Sequence, residues 1–295
     1  MKITEGYMPY LGYRTYYRIV GECAPGKRPL LLLHGGPGST HNYFEVLDVL
    51  AEDGRAIISY DQLGCGNSAV PSCPSLWVAR TWLDELAELR KHLGLSEVHL
   101  LGQSWGGMLA IQYMCDEAPQ GVRSLILSST LASASLWEQE GRRRLTYLPQ
   151  QMQQAIAAAE ASGDYSSAAY QEAEDEYMRR HCFAMPLEEQ PECVRRPAVK
   201  GRESYVTAWG PNEFSPTGTL AGWEYGDKLP QIKVPTMIFS GTRDLSSPLV
   251  AKSMYDAIPN ARWELFAYSR HMPFVEEAEK YRKLLSAWLE EQDAK

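Results

Sequence analysis

The chain has 295 residues, 44% hydrophobic and 22% charged, an ordinary globular balance with enough length for one or two cores. Its net charge is −8 and it has no basic run, which excludes nucleic acid as an expected partner and favours a cationic ligand slightly over an anionic one. No apolar run approaches the roughly 18 residues of a spanning helix, and the first six residues hold no apolar signal core, so the expectation is a cytoplasmic protein with no membrane contact.

Six cysteines, Cys23, Cys65, Cys73, Cys115, Cys182 and Cys193, form no Cys-x-x-Cys pair and no zinc spacing. They read as free thiols. A Cys182–Cys193 disulfide is the alternative in an exported protein.

Tyr13 to Gly21 reads as an edge strand, with Tyr7 to Tyr10 as a candidate hairpin partner. Gly21 to Lys27 resembles a phosphate loop but fails as one. Arg28 stands where a magnesium-binding Ser or Thr belongs, and no helix follows, so it reads as a turn. Pro29 to Leu33 is a continuous apolar run, as in a strand buried on both faces. Asn42 to Leu50 reads as a helix and Arg55 to Tyr60 as the next buried strand. Leu83, Leu86, Leu89 and Leu93 fall at helical spacing within Trp82 to Leu93. Val98 to Leu101 and Val122 to Leu127 are further buried strands.

Alternating strands and helices indicate an α/β chain with a mostly parallel sheet. The alternation pauses after about Ser129. From 131 to 225 the chain is charged and alanine-rich, with helical segments at Arg142 to Leu148, Gln150 to Ala161 and Ala168 to His181. This predicts a helical cap inserted into a core made of residues 1–130 and 226–295. The core resumes with a strand at Val234 to Ser240, a helix at Pro248 to Ile258, a strand at Arg262 to Phe266 and a closing helix at Val275 to Leu289.

Between the Val98 strand and the helix that begins near Met108 lies Gly102-Gln103-Ser104-Trp105-Gly106-Gly107. The pattern Gly-x-Ser-x-Gly in that context is a nucleophile elbow: the tight turn exposes the Ser104 hydroxyl, and small residues let strand and helix approach. A serine nucleophile needs a base and an acid that orients it, which on such sheets follow in the order Ser, acid, His. His271, between the last strand and the last helix, fits as base, and Asp244, after the Val234 strand, fits as acid. Asp227 and Asp256 fit worse. The oxyanion needs two N–H donors. One is Trp105. The other comes from His34-Gly35-Gly36-Pro37-Gly38, with Gly36 preferred and Gly35 in reserve. Acyl transfer through Ser104, His271 and Asp244 needs no metal and no cofactor.

Taken together, His34–Gly38, Asp61-Gln62-Leu63-Gly64-Cys65-Gly66-Asn67-Ser68, Gly102–Gly107, Gly210-Pro211-Asn212-Glu213-Phe214, Gly241-Thr242-Arg243-Asp244 and Ser269-Arg270-His271-Met272-Pro273 resemble the proline iminopeptidases of the alpha/beta-hydrolase fold. The similarity covers essentially the whole chain. It is closest to the branch with the tricorn-interacting aminopeptidase and the L-proline or L-amino acid amide hydrolases.

The resemblance implies a serine hydrolase that removes an N-terminal residue, proline or another small or apolar one, from short peptides or amides through an acyl-enzyme. It implies that Glu213 binds the substrate ammonium, as a carboxylate does in a charge-assisted hydrogen bond. Relatives in this branch commonly carry a second glutamate directly after the catalytic aspartate, where this chain has Leu245. That departure motivates the alternative of an esterase, lactonase or amidase on the same scaffold without free-amine recognition. Trp105, Trp137, Trp209 and Phe214 either line an apolar pocket for the first residue or form cap core. No heptad appears in the cap, so a monomer is expected.

Overall fold

The computed structural model describes all of residues 1–295. Eight strands form one sheet: β1 (Ile3–Tyr10), β2 (Tyr13–Val20), β3 (Leu30–Leu33), β4 (Ile57–Tyr60), β5 (Val98–Gln103), β6 (Val122–Ser128), β7 (Thr236–Gly241) and β8 (Arg262–Phe266). Their spatial order is β1-β2-β4-β3-β5-β6-β7-β8. The β1–β2 and β2–β4 pairs are antiparallel and all others parallel. The hairpin turn is Leu11-Gly12, both at positive φ, as a two-residue turn requires. β2 is therefore not the edge expected for it: it pairs with β4 on its far side, and β1 takes the edge.

Successive residues of a strand face opposite ways, and both faces here are apolar. Leu31 and Leu33 of β3 join the core cluster on one face, where α1 (Ala79–His92) and α2 (Trp105–Gln112) pack. Leu30 and Leu32 join the cluster on the other. There they meet His41–Asp53, which forms 3-10 turns rather than the expected α-helix. Its buried Phe44, Leu47 and Leu50 recur every third residue, which matches a three-residue turn.

Between β6 and β7 run α3 (Ala134–Leu145), α4 (Gln150–Ser162), α5 (Ala168–His181), α6 (Glu192–Arg195) and α7 (Arg202–Ala208). After β7 come α8 (Pro248–Ala257), β8, α9 (Pro273–Glu276) and α10 (Ala278–Asp293). The expected closing helix is thus two helices that meet at Glu277. No helix is long and apolar enough to cross a membrane. All six cysteines are free thiols, Cys182 and Cys193 included.

The chain leaves β3 toward β4 on one side and returns to β5 on the other. The carboxyl ends of β3 and β5 therefore flank a topological switch point, where open α/β sheets place their ligand crevice. Leu33 at the end of β3 leads into His34, and Gln103 at the end of β5 into Ser104.

Candidate active site

Ser104 has φ +54° and ψ −125°, a region L-residues avoid, so the turn holds strain of about 1–3 kcal/mol. The surroundings fix it. Ser104 N–H donates to Ser128 O at 3.0 Å, and Ser104 O accepts from Gly107 N–H at 2.8 Å and Thr130 Oγ1 at 2.6 Å. A Cβ on Gly102 would lie 2.2 Å from Gly106 O, and one on Gly106 would lie 2.0 Å from Leu33 O. Only glycine lets α2 start this close to β5 and β3.

Asp244 follows β7 and is fully buried. Its Oδ1 faces His271 Nδ1 at 2.6 Å. Its oxygens also accept from Gly241 N–H at 3.1 Å and Ser246 N–H at 2.9 Å. The ring thus has one fixed orientation, with Nδ1 spoken for and Nε2 without a partner in the protein. His271 N–H donates to Cys182 O at 3.1 Å, which ties the histidine loop to the end of α5.

Ser104 and His271 line one cavity of about 590 Å³, within the usual range of small-molecule sites. Core loops supply Gly35, Gly36, Pro37, Gly38, Gln103, Leu245 and Met272 to its wall. The segment between β6 and β7 supplies Met178, Cys182, Phe183, Lys200, Arg202, Tyr205 and Glu213. The site is therefore a chamber roofed by the helical insertion.

The two glycines of the loop after β3 differ in whether their N–H is engaged. Gly35 N–H already donates to Tyr43 Oη at 2.6 Å, and Tyr43 in turn donates to Gln103 Oε1 at 2.8 Å. Gly35 is thus no donor to a ligand, though it lines the cavity as expected. The N–H groups of Gly36 and Trp105 have no partner within the protein. Gly36 sits at φ +119°, which admits only glycine.

Two residues that the sequence left without a role, His34 and Gln62, hold this loop together with Trp105. His34 is fully buried, its Nδ1 lies 2.9 Å from Gly35 O, and its Nε2 accepts from Gln62 N–H at 3.0 Å. Burial pushes its pKa down to about 4, so it stays neutral with its proton on Nδ1. Gln62 Nε2 donates to His34 O at 2.9 Å, and Trp105 Nε1 donates to Gln62 Oε1 at 2.8 Å. Only the loops' convergence in space reveals this network. The motifs His34–Gly38, Asp61–Ser68 and Gly102–Gly107 are its traces in the sequence.

Glu213 is half-buried on the cavity wall, and its Oε1 accepts from Tyr205 Oη at 2.8 Å. Desolvation raises its pKa, while nearby His271 and the Tyr205 bond pull the other way. No cation pairs with it. Its backbone carbonyl accepts from Trp137 Nε1 at 2.6 Å. Leu245, buried beside Asp244, puts an apolar side chain on the same wall.

Trp209 and Phe214, candidate substrate-binding residues with cap core as the alternative, do not line the cavity. Phe214 packs edge-on against Tyr177 at 5.0 Å, and Trp209 edge-on against Trp137 at 6.1 Å. Both are cap core, as is Trp137, while Trp105 is buried in the core beneath the cap, edge-on against Trp82 at 5.2 Å.

The model for the alpha/beta hydrolase fold matches residues 28–278. The chain is 67% identical to the proline iminopeptidase of Clostridium botulinum over 99% of this chain and 100% of that one. It is 60% identical to the proline iminopeptidase of Clostridioides difficile with the same coverage. The chain belongs to the proline iminopeptidase family of alpha/beta hydrolases. Among solved structures, the proline iminopeptidase of Mycobacterium smegmatis superposes with a TM-score of 0.87 at 31% identity, covering 99% of both chains. The crystal structure of VinJ superposes at 0.90 with 35% identity, covering 98% of this chain and 99% of that one. The resemblance carried by the motifs thus holds over the whole length.

Proposed function

We propose that the protein is a serine aminopeptidase that releases N-terminal proline, or another small apolar residue, from short peptides and amides. The observation that carries this reading is an uncompensated carboxylate, Glu213, on the wall of the chamber that holds Ser104 and His271. A half-buried carboxylate without a cation is complementary to an ammonium ion. The family relatives, named for the same activity, support it.

In this mechanism the substrate ammonium docks on Glu213, which sets the first residue's carbonyl over Ser104. Ser104 Oγ attacks that carbonyl as its proton passes to His271 Nε2. Asp244 stabilises the imidazolium through Nδ1. The oxyanion of the tetrahedral intermediate accepts from Gly36 and Trp105 N–H, and the start of α2 adds a favourable dipole. His271 then gives the proton to the departing amine. Water, deprotonated by the same imidazole, attacks the acyl-enzyme and frees the amino acid and Ser104.

The test is kcat/KM on L-proline and L-alanine arylamides beside their N-acetylated forms, with Ser104→Ala and serine-directed phosphonate labelling as controls. A strong free-amine preference, lost labelling and lost turnover in Ser104→Ala are expected. Equal or faster cleavage of blocked substrates would instead assign an esterase or lactonase in which Leu245 marks the change.

A further inference from the structure

Apart from Glu213 and His271, the only charged side chains on the cavity wall are Lys200 and Arg202. Both are exposed and neither forms a salt bridge, although Glu174 is close enough to Arg202 to feel its charge. In a chain of net charge −8, with most surface cations next to acids, two adjacent unpaired cations on one wall of a ligand chamber call for an anionic partner.

Their place is fixed by the backbone. Gly201, between them, donates its N–H to Gly38 O at 2.8 Å, so the segment is tied to the loop that presents Gly36 N–H. Ser204 Oγ donates to Gly201 O at 2.8 Å and closes the start of α7. Tyr205, one turn further along α7, holds Glu213. The chamber therefore carries one carboxylate and two cations on α7 and the segments that flank it, with opposite signs unpaired.

We propose that Lys200 and Arg202 recognise the free C-terminal carboxylate of a short peptide. Resting on the aminopeptidase reading above, this makes the preferred substrate a zwitterion of two or three residues. Its ammonium lies on Glu213 and its carboxylate on the Lys200–Arg202 segment. Long peptides and C-terminally blocked ones forgo the second contact. Two exposed ion pairs give a modest selectivity that ionic strength weakens.

The experiment measures kcat/KM on Pro-Ala-Ala, on its C-terminal amide and on a proline arylamide. The wild-type protein is expected to favour the free acid over the amide by about three- to tenfold. The double substitution Lys200→Ala, Arg202→Ala brings that ratio near one, and Lys200→Glu, Arg202→Glu inverts it. The ratio is taken within each protein, so differences in folded fraction cancel. A wild-type ratio of one, or a ratio unchanged by the substitutions, overturns the inference while arylamide cleavage still supports the aminopeptidase reading. A parallel loss on acid and amide also overturns it, by showing that the cations act through Glu213. Failure to cleave any of the three overturns both.

Discussion

His34 Nδ1 donates to Gly35 O across 2.9 Å, and this bond aims the N–H of Gly36. The carbonyl of Gly35 and the N–H of Gly36 belong to one trans peptide, in which the two point opposite ways. Drawing the carbonyl toward a buried imidazole turns the N–H outward to the cavity. The proton must be on Nδ1, because Gln62 N–H donates to Nε2.

His34→Ala should therefore lower kcat by about ten- to a hundredfold, with KM for a proline arylamide little changed, since a misaimed oxyanion donor costs most in the transition state. Steady-state kinetics beside thermal unfolding separates this from a folding defect. An equal rise in KM would mean that His34 shapes the binding chamber rather than the oxyanion site.

Glu213→Gln keeps the Tyr205 hydrogen bond and removes the charge. KM for free-amine substrates is expected to rise about ten- to a hundredfold, the worth of a charged hydrogen bond in a sheltered site. N-acetylated substrates serve as the comparison, and an unchanged KM removes Glu213 from ammonium recognition. The pH profile gives a second readout. Burial raises the pKa of Glu213 above its ordinary value of 4.5. Its charge is lost as pH falls through that raised pKa, so KM climbs on acidification sooner than for an exposed carboxylate. A KM flat down to pH 4 would contradict it.

Arg144 reaches from α3 to the backbone carbonyls of Asp244 and Leu245, the latter at 3.2 Å, and is itself buried. Arg144→Met keeps the aliphatic stem but leaves two buried acceptors unpaired. A loss of about 2–4 kcal/mol in urea unfolding is expected, together with reduced kcat as the Asp244 loop loosens. Full activity at unchanged stability would show that the cap does not brace the acid.

Glu85 is fully buried, accepts from Leu63 N–H at 3.0 Å and shares a hydrogen bond with Thr15. Burial pushes its pKa up to about 8 from an ordinary 4.5. The folded chain thus binds this proton more tightly than the unfolded one. Its contribution to stability is greatest below pH 4.5 and declines as pH rises toward 8. Glu85→Gln, which keeps both bonds, should flatten the pH dependence of urea stability between those limits. An unchanged slope would mean that Glu85 is ionised in the native protein.

The site was legible in the sequence where chemistry is local. Gly102–Gly107 announces the strained turn, because its steric conditions lie within six residues. Asp244 and His271 follow from chain order on a parallel sheet, since each strand's carboxyl end delivers its loop to the same edge. The structure joins them at 2.6 Å. Phe44, Leu47 and Leu50 carry a signal that the α-helical reading passes over: their strict three-residue spacing keeps one face in a 3-10 turn, whereas a 3.6-residue helix would swing Leu50 about 120° away from Phe44.

The sequence by itself determined the sheet, the strained turn at Ser104, the chain order of Ser104, Asp244 and His271, and the family. Each is written in periodicity or in contiguous motifs. Only the tertiary structure decided which glycine is free to donate, because Gly35 is engaged by Tyr43, whose side chain also meets Gln103, 60 positions further along the chain. It alone put Trp209 and Phe214 in the cap core, since an aromatic ring's role depends on what packs over it. It alone brought Lys200, Arg202 and Glu213 to one chamber. Charge complementarity is a property of distances between side chains, and one-dimensional spacing does not encode those distances across an inserted helical cap.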